Sequence, residues 1–171
     1  MSTTSDTTLR DRVRAAFEQN PRAMTPFLAQ QLGVTECEVL RCLPEGRAVK
    51  LEPAKLRELI EAFEPLGKVH VIVNNGAVVL EAVGAFGGFS LTGPFLNVQT
   101  DTLDMHISHA KLAAAFAVIK PGHMDGVETL SFQFFAPEGN SAFKVFLTFG
   151  GSAPEPERRK QFDEIRARFQ K

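Results

Sequence analysis

The sequence predicts an α+β protein: an N-terminal helical segment, a large antiparallel sheet of about seven to nine strands, and a C-terminal helix. Three observations carry this expectation. Apolar residues recur at helical spacing up to residue 67, the period changes to two from Lys68 onward, and the final stretch "PEPERRKQFDEIRARFQK" returns to helical spacing.

Residues 1–8 are polar and read as a disordered tail, leaving 9–171 as a single domain. "LRDRVRAAFEQNP" sets Leu9, Val13, Ala16 and Phe17 on one stripe and stops before Pro21. In "TPFLAQQLGVTECEVLRCLPEG", Thr25 is a candidate cap, Pro26 suits a first turn, Gly33 interrupts the run, and Thr35 is placed to cap a second helix. "EPAKLRELIEAFEPLG" repeats Leu56, Leu59, Ile60 and Phe63 at helical spacing, so 9–67 reads as a helical front.

The sheet is expected over 68–150. "KVHVIVNNGAVVLEAVG" brackets Asn74-Asn75-Gly76, a hairpin signal because Asn-Gly tolerates the positive φ of a tight turn. Further strands are expected in "GFSLTGPFLNV", "TLDMHIS", "VETLSFQFF" and "SAFKVFLTF". "HAKLAAAFAVIK" has the alanines of a helix, yet a strand buried on both faces looks equally apolar, and periodicity leaves both open. A terminal helix over 153–171 places Phe162, Ile165 and Phe169 together, with acids early and bases late.

Composition narrows the functional classes. The 171 residues are 44% hydrophobic, enough for a conventional core, and the net charge of −1 supplies no bulk attraction to nucleic acid or an anionic membrane. No apolar run is long enough to span a bilayer, and "MSTTSDTTLR" lacks a signal-peptide pattern. Cys37 and Cys42 form no disulfide framework and read as small buried hydrophobes, which points to a reducing cytoplasm. The helix-turn-helix outline around Gly33 would present Thr35, Glu36, Cys37 and Glu38 to DNA. Two carboxylates there oppose phosphate binding, so a helical cap on the sheet is favoured.

No nucleophile-base arrangement, zinc motif or phosphate loop is legible; "GAFGG" at Gly84 to Gly88 reads as a flexible strand connection. His106 and His109 lie in "DTLDMHISHAK". On a helix their spacing would stack them as a metal clip, whereas on a strand they point to opposite faces. As a strand, "TLDMHIS" puts His106 on a polar face with Asp104, a candidate acceptor for its ring proton.

The chain resembles the haem-utilisation cytosolic carrier proteins of the HutX/ChuX type, which have the HemS-like fold. The resemblance runs from about Leu9 to Phe169 and rests on "NPRAMTPFLAQQLGVTECEVLRCLP", "GPFLNVQTDTLDMHI" and "ETLSFQFFAPEGNSAFKVFL". It implies that "KLAAAFAVIK" is a strand, that His106 in "LDMHI" is the candidate haem-iron ligand, and that Lys144 in "FKVF" faces a haem propionate or solvent. His109 is not carried over. Apolar contact is expected from Phe89 and Phe95. The sequence departs from its relatives at Asn74, where they can show a second histidine, at Pro94, where they show tyrosine, and at Phe149, often arginine. With no tyrosine in the chain, a tyrosinate ligand is excluded.

The resemblance thus implies an intracellular haem-binding carrier in iron acquisition, a cytoplasmic homodimer that exchanges haem with a donor or acceptor protein through one exchangeable axial bond. No nucleic-acid or membrane-inserted role is expected. Two alternatives stay open: a haem-degrading or iron-releasing enzyme on the same fold, and a DNA-binding regulator or non-haem interaction protein.

Overall fold

The computed structural model describes residues 8–122, 124–148 and 153–171. Phe149, His123 and the expected tail up to residue 7 lie outside the described residues. Thr8, assigned to that tail by its polarity, is instead ordered by local hydrogen bonding. Its hydroxyl accepts from the Asp11 backbone N–H at 3.2 Å, and the Asp11 carboxylate accepts from the Thr8 N–H, forming a capping box.

Three helices form a cap: α1 (Leu9–Gln19), α2 (Thr25–Leu32) and α3 (Glu36–Cys42). Val13, Phe17, Leu28 and Leu40 pack with Ala114, Phe116, Val118 and Phe135 of the sheet beneath. Gly33 ends α2 in the left-handed region at φ 68°, and Thr35 caps α3 with Glu38 in a second capping box. Thr25 does not cap α2; Met24 holds that position without a side-chain bond, and the Thr25 hydroxyl donates to Glu36. The helical front also contains an unexpected strand, β1 (Ala48–Lys50), and its last helix is broken. Helix α4 covers only Leu56–Glu61, flanked by tight turns that begin at Pro53 and around Pro65.

The strands number nine among the described residues, but they divide into two sheets. The larger has the order β1-β7-β8-β9-β2-β3, with β2 Lys68–Asn74, β3 Val79–Ala85, β7 Ala114–Pro121, β8 Glu128–Phe135 and β9 Ser141–Phe146. The smaller has β5 (Phe95–Gln99) between β4 (Ser90–Thr92) and β6 (Asp104–Ile107). Neighbouring strands in both sheets pair antiparallel.

The alanine-rich segment is a strand because tertiary burial on two sides outweighs helix propensity. Ala115, Ala117 and Ile119 face the main core, while Ala114, Phe116 and Val118 face the helical cap. The main core lies between the inner face of the larger sheet, the smaller sheet, α4 and the closing helix α5 (Pro156–Phe169). Phe63 stacks on Phe132 at 4.8 Å between ring centroids, and Phe162 of α5 lies 5.0 Å from the same ring. "GAFGG" makes a close approach rather than a loose connection. Gly88 has φ 62°, and a Cβ there would collide with the Gln99 carbonyl oxygen.

Candidate functional site

The candidate residues occupy opposite faces of the main core. In β6, Ile107 points inward, so His106 points outward from the smaller sheet. Its ring is about half exposed, at 55% of its side-chain area. Directly across the strand pair lies Asn97, whose Oδ1 is 2.7 Å from His106 Nδ1. The buried Asn97 amide donates through Nδ2 to the hydroxyls of Ser90 at 3.1 Å and Thr92 at 3.0 Å.

This chain of bonds determines the state of the imidazole. With both amide protons directed at hydroxyls, Asn97 Oδ1 is left as an acceptor, so His106 Nδ1 carries the proton in the neutral ring. Nε2 then keeps its lone pair and points away from Asn97, the form needed to ligate a metal. Asp104 does not serve as the expected partner: its carboxylate is 3.6 Å from Nε2, beyond hydrogen-bond distance. Phe95 meets the His106 ring edge-on at 6.3 Å between centroids. Pro94 sits in the β4–β5 turn beside it.

Phe89 and Lys144 are not brought to this face. Phe89 is half-buried against the main core, edge-on to Phe86 at 6.1 Å between ring centroids. Lys144 lies on the far side of the larger sheet, since its neighbours Phe143 and Val145 face the core. Its ammonium forms a buried ion pair with Glu36 at the start of α3, and Thr25 donates to the same carboxylate oxygen. The acids at the helix tip are therefore used within the fold, Glu36 by Lys144 and Glu38 by the Thr35 cap. His109 begins a short 3-10 turn after β6 and makes no pair with His106.

Lys144 also lines a cleft of about 510 Å³ between the start of α2 and the larger sheet. That volume lies within the roughly 300–1,000 Å³ range of small-molecule and cofactor pockets. Its apolar walls include Met24, Pro26, Ile72, Val118, Met124 and Phe146. Arg22 pairs with Asp125 at the rim, and the His70 ring is engaged by Glu81 at 2.9 Å. Asn74 lines the same cleft.

Lys120 adds a second ammonium to this cleft. Its ammonium donates to the Ala23 carbonyl, and burial, reinforced by the nearby Lys144 charge and partly offset by Glu36, lowers its pKa to about 8. Buried Gln133 Oε1 and Thr148 Oγ1, on residues that line the cleft, have no hydrogen-bond partner among the described residues. A ligand combining an apolar body with a carboxylate fits these walls and this charge. The sequence does not reveal the cleft, because its residues come from the start of α2 and from β2, β3, β7, β8 and β9, which only the sheet order and cap bring together.

The haem utilisation ChuX/HutX family model matches residues 49–165. The chain belongs to this family. It is 26% identical over 163 residues to the intracellular heme transport protein HutX of Vibrio cholerae, covering 94% of this chain and 80% of that one. It is 29% identical to the hemin transport protein HemS of Yersinia enterocolitica over 78% of its own length, but spans only 38% of HemS. The solved heme binding protein ChuX superposes with a TM-score of 0.79 at 21% identity, over 91% of this chain and 97% of ChuX. The HemS-like fold implied by the sequence is therefore the fold observed.

Proposed function

We propose that this protein binds haem inside the cell and carries it, as cargo, between a donor and an acceptor protein. The observation that carries the reading is the hydrogen-bond chain from Ser90 and Thr92 through Asn97 to His106 Nδ1, in a chain of a haem-utilisation family. The names of its relatives HutX and ChuX, heme transport and heme binding, agree with this role. His106 Nε2 supplies the axial bond to iron, and Phe95 supplies apolar contact beside it. A single imidazole bond, with no tyrosine in the chain, suits a cargo that must be handed on. Lys144 serves the fold through Glu36, and Phe89 serves the core.

The protein acts in the cytoplasm as a homodimer in this reading. No helix among the described residues is long and apolar enough to cross a membrane. Among the described residues no group of three or more His, Cys, Asp or Glu side chains is placed to hold a metal ion.

Haem titration with absorption spectroscopy tests the proposal. Wild type should show a saturable shift of the Soret band, and His106→Ala should weaken binding about tenfold or more, equivalent to about 1.4 kcal/mol. Asn97→Leu, which leaves His106 in place but removes its orienting acceptor, should weaken it by about tenfold. No specific shift in wild type removes the carrier reading. An unchanged titration of His106→Ala removes that residue from the site.

A further inference from the structure

Lys120 is placed unlike any other lysine of the chain. Lys55, Lys68, Lys111, Lys160 and Lys171 are exposed, and Lys50 is half-buried in the short strand β1. Lys144 lines the cleft, but it is buried and closed off in its pair with Glu36. Lys120 reaches the cleft from β7, on the face it shares with Val118, and stays half-buried there. Its ammonium donates to the Ala23 backbone carbonyl, and among the described residues no carboxylate forms an ion pair with it.

Two features of this position weaken the charged form of the amine. Met24, Ile72, Val118 and Phe146 make the cleft wall apolar, so an ammonium there gives up hydration, and the nearby Lys144 is a second positive charge. A lysine that is desolvated or set beside another cation is the usual form of a nucleophilic amine. Ala23 still accepts an N–H when the amine is neutral, so the lone pair is left for the cleft. The lowered pKa of about 8 follows from the same two causes, less a partial offset from Glu36. At about pH 7.5, roughly a quarter of Lys120 is then neutral, against roughly one part in a thousand for an ordinary lysine.

We propose that Lys120 is a covalent capture site and that the cleft takes an apolar aldehyde, held there as a reversible imine. The neutral Nζ attacks the carbonyl carbon, the C=O electron pair moves to oxygen, and one amine proton passes to that oxygen, giving a carbinolamine. Loss of the new hydroxyl with the second amine proton, as water, leaves the C=N bond. Hydrolysis reverses both steps and returns amine and aldehyde. The cleft of about 510 Å³ has room for an aromatic ring against Ile72, Val118 and Phe146.

Reductive labelling tests the capture site. The protein is treated with benzaldehyde and sodium cyanoborohydride, whose hydride reduces the imine to a stable secondary amine, and each lysine is followed by peptide mass spectrometry. Lys120 should label about tenfold or more faster than the exposed Lys55 and Lys160 at about pH 7.5. Its lead should shrink as the pH passes about 8, where Lys120 is already mostly neutral and the others are not. Unfolding in urea should abolish the lead, and Ile72→Trp, which fills the cleft, should slow Lys120 without changing Lys55 or Lys160. The proposal is overturned if native Lys120 labels no faster than Lys55 and Lys160, if its lead survives unfolding, or if folded Ile72→Trp labels as wild type does. The urea comparison decides the question by itself where Ile72→Trp does not fold.

Discussion

His106 and Lys120 show how neighbouring groups decide what a titratable side chain does. The sequence separates His106 from His109 because strand parity does so at once. It misassigns the acceptor of the His106 ring proton, because Asn97 is nine residues earlier and becomes a neighbour only through the β5–β6 register. For Lys120 the consequence is a pH dependence. Its folded pKa is depressed to about 8 from 10.5, so between those values the unfolded chain binds more protons than the folded one. Stability therefore rises with pH through that window, by about 3 kcal/mol at most. Urea unfolding from pH 7 to about 10 should show this rise in wild type and a flatter profile in Lys120→Met. An equal rise in the variant would assign it to other groups.

Strands and helices are joined here by a few polar contacts that the linear sequence conceals. Lys144 sits between Phe143 and Val145 in β9, and its partner Glu36 is 108 positions away. The pair fastens the cap to β9, and Thr25 extends it into α2. Lys144→Ala leaves a buried carboxylate without its cation and should cost about 3–5 kcal/mol in denaturant melts. Lys144→Met combined with Glu36→Gln should recover much of that loss; a double variant as unstable as the sum would mean the two charges act independently. The hairpin at Asn75 and the closing helix were legible because turn chemistry and amphipathic spacing are local signals. β1 was not: it has three residues, and its strand geometry comes from pairing with β7, not from its own composition. The split into two sheets was equally hidden, since it depends on the turn of the chain at Gly87 and Gly88, where Gly88 packs on the Gln99 backbone.

At the scale of the whole molecule, the fold class was written in the change of period at Lys68, whereas the placing of His106 and the cleft on opposite sides of the main core was not written in any motif. The exposed β3 edge predicts self-association that charge should weaken. Leu80→Lys combined with Val83→Lys should lower any self-association measured by sedimentation, with the secondary structure seen by circular dichroism unchanged. A variant that remains dimeric would move the interface elsewhere.

The opposite edge of the larger sheet is closed in a different way. β1 is short, and the C-terminal residues fold back along it: Lys171 N–H donates to the Lys50 carbonyl at 3.3 Å, and Glu52 N–H to the Phe169 carbonyl at 2.8 Å. Gln170 also bridges to Leu51. A sheet with one edge sealed by its own tail has a single growing end. Joining two such ends would use up the open edge of the larger sheet in each copy, so growth through that sheet would stop after one step.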